Sequence, residues 1–267
     1  MDLGIAGRAA LVTGSTQGLG LACARALLAE GVAVTLNGRD ADCLDQVRAE
    51  LAEQSGGEVS CVAADLGTKE GLDAVFAACP TLDILVTNNR GPKPAPISTL
   101  ADVDLDEALR LHLWAPFKLV QHYLPGMYER RFGRIVNITS AMVRTPGALM
   151  IASTAARSGL TGAMHGTATA VARDNVTINQ VLPMLIDSPR QHNLARQRAE
   201  NEGLSYDEVR AEQGRMAAAR RMGRPEEVAA ACAFLCSELA GFTTGMEFRV
   251  DGGGVLAVDN EWEMGSR

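Results

Sequence analysis

Residues 9–20 read Ala-Ala-Leu-Val-Thr-Gly-Ser-Thr-Gln-Gly-Leu-Gly, and this stretch decides the fold. Ala9–Val12 is a short apolar run of the kind a parallel strand covered on both faces needs. Gly14, Gly18 and Gly20 follow it, and Leu21–Glu30, with Ala22, Ala26, Leu27 and Ala29, suits a helix. Strand, glycine turn and helix in that order make a dinucleotide cradle. The glycines let the backbone turn tightly and approach a pyrophosphate. The helix start adds free N–H groups at the positive end of its dipole. The whole loop, Gly14, Ser15, Thr16, Gln17, Gly18, Leu19 and Gly20, is therefore the expected cofactor cradle. A glycine-rich turn with no ligand is the alternative.

Working outward, 267 residues of which 47% are hydrophobic can build one large core, and no second domain is visible. A formal charge of −7 argues against a nucleic-acid partner, since such proteins carry a basic face. Met1–Ile5 carries Asp2 and no apolar run follows a basic start, so no signal peptide is expected. Charges or glycines interrupt every apolar run before it reaches the length of a membrane span. The six cysteines show no Cys-x-x-Cys spacing and no paired histidines, so no metal site is expected. Free thiols in a chain of this size fit the cytoplasm.

The spacing Gly-x-x-x-Gly-x-Gly after Thr13 resembles that of the short-chain dehydrogenase/reductase family, and the resemblance runs from Gly7 to about Gly254. It implies an α/β fold, a doubly wound Rossmann-type parallel sheet of mostly seven strands. One NAD(P)-binding domain then covers residues 1–254, and residues 255–267 form a C-terminal tail whose Trp262 is expected to reach a neighbouring subunit.

The resemblance assigns further residues. Val32–Leu36 is the second strand, and Gly38 takes the place where an NAD-preferring relative holds the ribose hydroxyls with a carboxylate. A small residue followed by Arg39 leaves room and charge for a 2′-phosphate, which favours NADP(H) over NAD(H). A surface arginine in a turn is the alternative. Asp65, followed by Leu66 at the end of the third strand, matches the family's aspartate beside the adenine ring. After the fourth strand, Asp83–Thr87, the family's Asn-Asn-Ala-Gly falls on Thr87, Asn88, Asn89 and Arg90, so an arginine replaces a glycine beside the cofactor. A one-residue slip of the alignment restores the motif; without it the nucleotide pocket is reshaped here.

The family's catalytic positions are altered. Asp102–Arg130 has helical periodicity that Pro116 should kink or that a local break should absorb, and His112 occupies the place where the family has the asparagine that holds a proton-relay water. A hydrogen-bonded structural histidine is the alternative. Asn137-Ile138-Thr139-Ser140, closing the fifth strand Arg134–Thr139, matches the segment that delivers the substrate-binding serine, Ser140. The tyrosine and lysine positions hold Ser153 and Arg157. An aliphatic hydroxyl is too weak an acid to replace a phenol directly, whereas Arg157 keeps the charge that holds the nicotinamide ribose. Pro183, ending the sixth strand Asn175–Leu182, and Ile186 are expected at the nicotinamide carboxamide, with Met184 in place of a glycine. Pro189–Arg220 corresponds to the mobile substrate lid. Glu226–Cys236 is a helix, and Phe248–Gly253 holds the closing strand and Asp-Gly-Gly.

Two functional readings follow. In the first the chain is an NADP(H)-dependent oxidoreductase acting on a carbonyl or alcohol, similar to 3-oxoacyl carrier-protein reductases. His112 then substitutes as the proton group and Tyr206 is the next candidate. In the second it binds a cofactor, or none, and has lost hydride chemistry. Arg90, Lys93, Arg144 and Arg190, in loops leaving the strand C-termini, point to an anionic or carrier-bound small-molecule substrate. The resemblance also implies a homotetramer or homodimer through Asp102–Arg130 and Ser153–Ala172, with no nucleic acid and no membrane.

Overall fold

The computed structural model describes residues 1–254, so the expectation for Trp262 lies outside the described residues. The chain alternates strand and helix. It begins β1 (Ala9–Val12), α1 (Gly18–Ala29), β2 (Ala33–Gly38), α2 (Ala41–Ser55), β3 (Val59–Ala63), α3 (Lys69–Ala78) and β4 (Ile84–Thr87). It continues with α4 (Asp102–Leu109), α5 (Ala115–Arg130), β5 (Gly133–Ile138), α6 (Ile151–Val171) and β6 (Val176–Pro183). After these come α7 (Pro189–Glu202), α8 (Tyr206–Arg215), α9 (Pro225–Cys236) and β7 (Glu247–Val250).

The strands form one parallel sheet in the order β3-β2-β1-β4-β5-β6-β7. Alternation along the central strands feeds two cores. Val12, Val86, Val136 and Val181 pack on one face with Leu27 of α1 and Val228 and Cys232 of α9. Leu11, Leu85, Ile135 and Ile178 pack on the other with Leu119 and Met127 of α5 and Leu160 and Met164 of α6. Because β1 lies between β2 and β4, the winding reverses there, and the crevice beyond those strand ends is where such sheets take ligands.

Four local expectations shift. Helix α1 starts at Gly18 rather than Leu21, so the last two glycines of the loop form its first turn. Strand β3 stops at Ala63, leaving Ala64–Leu66 in the loop over the crevice. The helix expected over Asp102–Arg130 absorbs Pro116 through a local break placed just ahead of it: Arg110–Trp114 form a π turn, and the proline sits in the first turn of α5. Turns of that kind recur at functional sites, and His112 lies in this one. The lid segment is two helices joined at Gly203, whose φ of 68° closes α7. Ser205 and Glu208 form a capping box that opens α8.

Candidate active site

Beyond the C-terminal ends of β1–β4 lies a cavity of about 410 Å³. Gly14, with φ +56°, turns the chain at its base. Thr13 Oγ1 donates to the Asn88 carbonyl at 2.7 Å and accepts from the Asn88 N–H at 2.8 Å, and Asn88 Nδ2 donates to the Gly14 carbonyl at 3.1 Å. A Cβ on Gly20 would stand 2.2 Å from the Gly14 carbonyl oxygen, so the first turn of α1 closes on the loop only because glycine is there. Thr16, Gln17, Gly18 and Leu19 then line the cavity. Ser15 and Gly20 build its wall instead. Ser15 Oγ donates to the Val12 carbonyl at 2.8 Å and accepts from the Asn37 N–H at 3.0 Å, tying the loop to β2.

The rim follows the expected residues. Gly38 and Arg39 end β2, Asp65 and Leu66 follow β3, and Asn88 and Arg90 follow β4; all six line the cavity. A Cβ on Gly38 would meet Thr16 Cγ2 at 2.7 Å, so the acidic side chain of an NAD-type site would have to displace Thr16 here. Asp65 Oδ1 accepts from the Gly67 N–H at 2.9 Å, which shapes the loop. Thr87 ends β4 with its hydroxyl on Asn137 Oδ1 at 2.6 Å, and Asn88 Nδ2 faces the Gly14 carbonyl. These residues suit the nucleotide end of a dinucleotide. Glycine approach, free helix N–H groups and an exposed guanidinium on the rim are what its phosphates need.

The catalytic positions lie apart from this cavity. His112, Ser153 and Arg157 are buried, at 4%, 1% and 8% exposure, and Ser140 is half-buried with its Oγ accepting from the Met142 N–H at 3.2 Å. Pro183 ends β6 within the sheet, and Ile186 is buried against the Gly223 segment. The cavity ends instead at Ser188, Pro189 and Arg190. Arg190 Nη2 donates to the Pro92 carbonyl at 2.9 Å, and its guanidinium lies so close over Gly91 that a Cβ there would stand 2.3 Å from Nη1. Glu107, Arg110 and Leu111 also line the cavity, from the helix end and turn that deliver His112. Reading residues 102–130 as one helix hid them; the break in periodicity around His112 was the available signal.

Arg157 donates to Ser153 Oγ, while its Nε and His112 Nε2 have no partner among the described residues. Burial, with repulsion from Arg190, pushes the Arg157 pKa down to about 10, so it stays cationic at neutral pH. His112 is held well below the ordinary imidazole range, first by burial and then by Arg157 and Arg190; a hydrogen bond at the Arg90 backbone pulls weakly the other way. The imidazole is thus neutral and fit to accept a proton. Of the four cations expected to face an anion, two are already engaged. Arg90 lines the cavity but pairs with Glu107, and Arg144 pairs with Glu247 away from it. Lys93 does not line the cavity, and Arg190 lines it while donating to the Pro92 carbonyl.

Comparisons with known proteins agree with this geometry. Residues 14–254 match the family described as enoyl-(acyl carrier protein) reductase. The chain is 33% identical over 263 residues to an uncharacterized oxidoreductase, YvaG, of Bacillus subtilis, covering 97% of this chain and all of that one. It is 31% identical to the 3-oxoacyl-[acyl-carrier-protein] reductase FabG of Aquifex aeolicus, over 95% of this chain and 99% of that protein. L-sorbose reductase of Gluconobacter frateurii, solved with NADPH and L-sorbose, superposes with a TM-score of 0.90 at 32% identity, over 96% and 99% of the two chains. The chain belongs to the short-chain dehydrogenase/reductase family, whose members are NAD(P)-dependent oxidoreductases.

Proposed function

We propose that the protein is an NADP(H)-dependent oxidoreductase on a small carbonyl or alcohol compound, with a proton-handling centre rebuilt around His112. The observation that carries the reading is the pairing of an intact glycine cradle with Arg39, beside a Gly38 that offers no carboxylate. When bound, the nicotinamide supplies hydride exchange with the carbon of the alcohol or carbonyl. Gly14, Thr16–Leu19 and Asn88 hold the phosphates, Arg39 the 2′-phosphate, and Asp65 and Leu66 the adenine side. Arg157 holds the ribose next to the reacting ring. NADPH in the L-sorbose reductase, and NADP in a 3-oxoacyl reductase of Agrobacterium tumefaciens similar to this chain, support the cofactor.

His112 handles the proton at the substrate oxygen. In the oxidative direction the alcohol O–H breaks, its proton passes to His112 Nε2, and Ser140 and Ser153 hydrogen-bond the oxygen. Burial and two guanidiniums keep this histidine neutral, the form that alcohol oxidation needs, though they also make it a weaker base. Fluorescence titration with NADPH and NADH tests the cofactor. Tighter NADPH, lost in Arg39→Ala, is expected; equal affinities unchanged by that variant overturn it.

A specific observation favours a second reading, a cofactor-binding protein without hydride chemistry: Arg190 caps the end of the cavity and the family's phenol and ammonium are absent. If wild type turns over no ketone, alcohol or acyl thioester and Ser153→Tyr with Arg157→Lys creates turnover, this second reading stands. For partners, we propose a homodimer or homotetramer in the cytoplasm. Trp114 and Phe117 are 36% and 39% exposed beside Val103 at 67%, and Gly162 and Gly166 on α6 have open space over them. Such a face suits close helix contact with a second copy. Light scattering showing a monomer at micromolar concentration rejects it.

A further inference from the structure

Helices α7 and α8 form a small body of their own. Ala195, Ala199 and Val209 are buried together, with Leu204 and Tyr206 packed against them, in a cluster separate from the two cores of the sheet. Polar contacts join the same two helices. His192 Nδ1 meets the Tyr206 hydroxyl at 2.5 Å, Arg198 Nη2 meets Glu212 Oε2 at 2.7 Å, and Gln213 Nε2 donates to Gln191 Oε1 at 3.3 Å. Asp187, just ahead of α7, binds both helices: its Oδ1 accepts from Arg210 Nη2 at 2.5 Å and faces His192 Nε2 at 3.1 Å.

This body is attached by a narrow neck. The Asp187 N–H donates to the Gly223 carbonyl at 2.7 Å and the Gly223 N–H donates to the Leu185 carbonyl at 2.9 Å, so the chain leaves and returns at one point. Leu185 and Arg220, one on each side, hold φ of +54° and +55°, a conformation that non-glycine residues rarely adopt and that recurs in switch segments. Past this neck, among the described residues, one hydrogen bond runs from α7 or α8 to the rest of the molecule, Arg190 Nη2 to the Pro92 carbonyl at 2.9 Å. The loop after β4 receives it only because residue 91 is glycine, since a Cβ there would collide with the guanidinium. The contact lies at the end of the nucleotide cavity. Gly91 and Arg190 both line that cavity, and His112, Ser153 and Arg157 do not.

Resting on the oxidoreductase reading above, we propose that Arg190 is a latch. Its bond to Pro92 holds the α7–α8 body down across the end of the cavity, and the nicotinamide half of the cofactor reaches the catalytic positions after that bond breaks. The adenine half needs no such movement, because Gly14, Thr16–Leu19, Arg39 and Asp65 already line a cavity of about 410 Å³. A body with its own core swings as a unit, with the backbone change confined to a few neck residues. A cofactor that must open the latch binds more weakly, by the fraction of molecules in which the latch is open. A competing role for Arg190 is pairing with the cofactor pyrophosphate, and it has the opposite sign. Losing a phosphate ligand weakens NADPH, whereas losing a latch tightens it.

The experiment compares wild type, Arg190→Ala and Gly91→Ala by calorimetric titration with NADPH and with adenosine 2′,5′-bisphosphate, the adenine end of NADPH. Arg190→Ala should bind NADPH about tenfold more tightly, the worth of one hydrogen bond from a charged donor, with the bisphosphate unchanged within about threefold. Gly91→Ala should shift NADPH in the same direction, since its Cβ displaces the guanidinium while Arg190 is intact. Arg190→Lys, which keeps a donor, should lie between wild type and Arg190→Ala. The same proteins without ligand are followed by hydrogen exchange. Arg190→Ala should speed exchange of the amides in 88–95 and 187–192 and leave the capping box at Ser205 and Glu208, inside the body, as in wild type. NADPH that binds Arg190→Ala no more tightly than wild type overturns the latch, and NADPH that binds it more weakly assigns Arg190 to the cofactor. Unchanged exchange in both segments overturns the latch as well. If neither NADPH nor the bisphosphate binds any of the proteins, the oxidoreductase reading fails, and hydrogen exchange still decides whether Arg190 holds the body down.

Discussion

The two ends of the crevice are built on opposite principles. At the nucleotide end the glycine loop is tied to its neighbours by complete, reciprocal hydrogen bonds: Thr13 with Asn88, Asn88 with Gly14, Ser15 with Asn37. At the catalytic end Arg157 and His112 are buried with nitrogens unpartnered among the described residues, and Arg190 caps the approach. Buried polar groups in folded proteins are normally satisfied, and the exceptions mark where a ligand or strain is accommodated. On the proposed reading, binding and chemistry have separated in this chain: the glycine cradle resembles the family's, and the proton-handling end is rebuilt around His112.

The largest expected effect breaks the nucleotide end. Gly20→Val drives a side chain into the Gly14 carbonyl, 2.2 Å from where its Cβ would be, and should cost more than about a hundredfold in NADPH affinity, measured by fluorescence. At the catalytic end, His112→Asn should lower turnover by about a hundred- to ten-thousandfold, the usual worth of a general base, with NADPH affinity within about threefold. If both variants lose binding equally, the two ends are not separable.

Arg39→Ala should weaken NADPH by about ten- to a hundredfold and leave NADH unchanged, the loss of one charge-assisted contact to phosphate. A pH experiment sharpens the other end. The folded state holds His112 below its ordinary value, so the unfolded chain binds the proton first and stability falls as pH drops below about 6.5. The loss from this group is about 1.4 kcal/mol per pH unit until the folded pKa is reached. Urea unfolding between pH 7 and 5 should show a shallower decline in His112→Asn than in wild type. The smallest effect belongs to the rim: Arg90 and Glu107 are 56% and 40% exposed, so Arg90→Ala should change stability by less than about 1 kcal/mol in the same assay.

Much of the nucleotide end was legible because it rests on local rules. Glycine where φ is positive, an apolar strand of four residues and a helix behind it can be read from adjacent positions, and β1 falls on Ala9–Val12 as expected. Arg39, Asp65 and Asn88 likewise stand at strand ends, where the topology places them at the cavity. What was hidden depends on distant pairings. Nothing near Arg144 in the chain announces Glu247, and nothing near Arg90 announces Glu107, so two of four expected anion-facing cations were already neutralised. Arg190 over Gly91 joins segments about a hundred residues apart, and the local break that Pro116 allowed for takes the form of a π turn at Arg110–Trp114. Ser15 looked like a cradle residue and is a strut, because its hydroxyl finds Val12 and Asn37 before it can meet a ligand.

The separation of binding from chemistry is tested most directly by stopped-flow measurement of nicotinamide absorbance in a single turnover, with the cofactor dissociation constant measured on the same samples. Wild type and His112→Asn are mixed with NADP and each of a panel of small alcohols. The expected result is a hydride-transfer burst in wild type that slows at least about a hundredfold in His112→Asn, at dissociation constants within about threefold of each other. Equal burst rates in the two proteins contradict the assignment of His112. NADP bound to wild type with no burst on any acid, alcohol, ketone or thioester contradicts the claim that the rebuilt end performs chemistry at all.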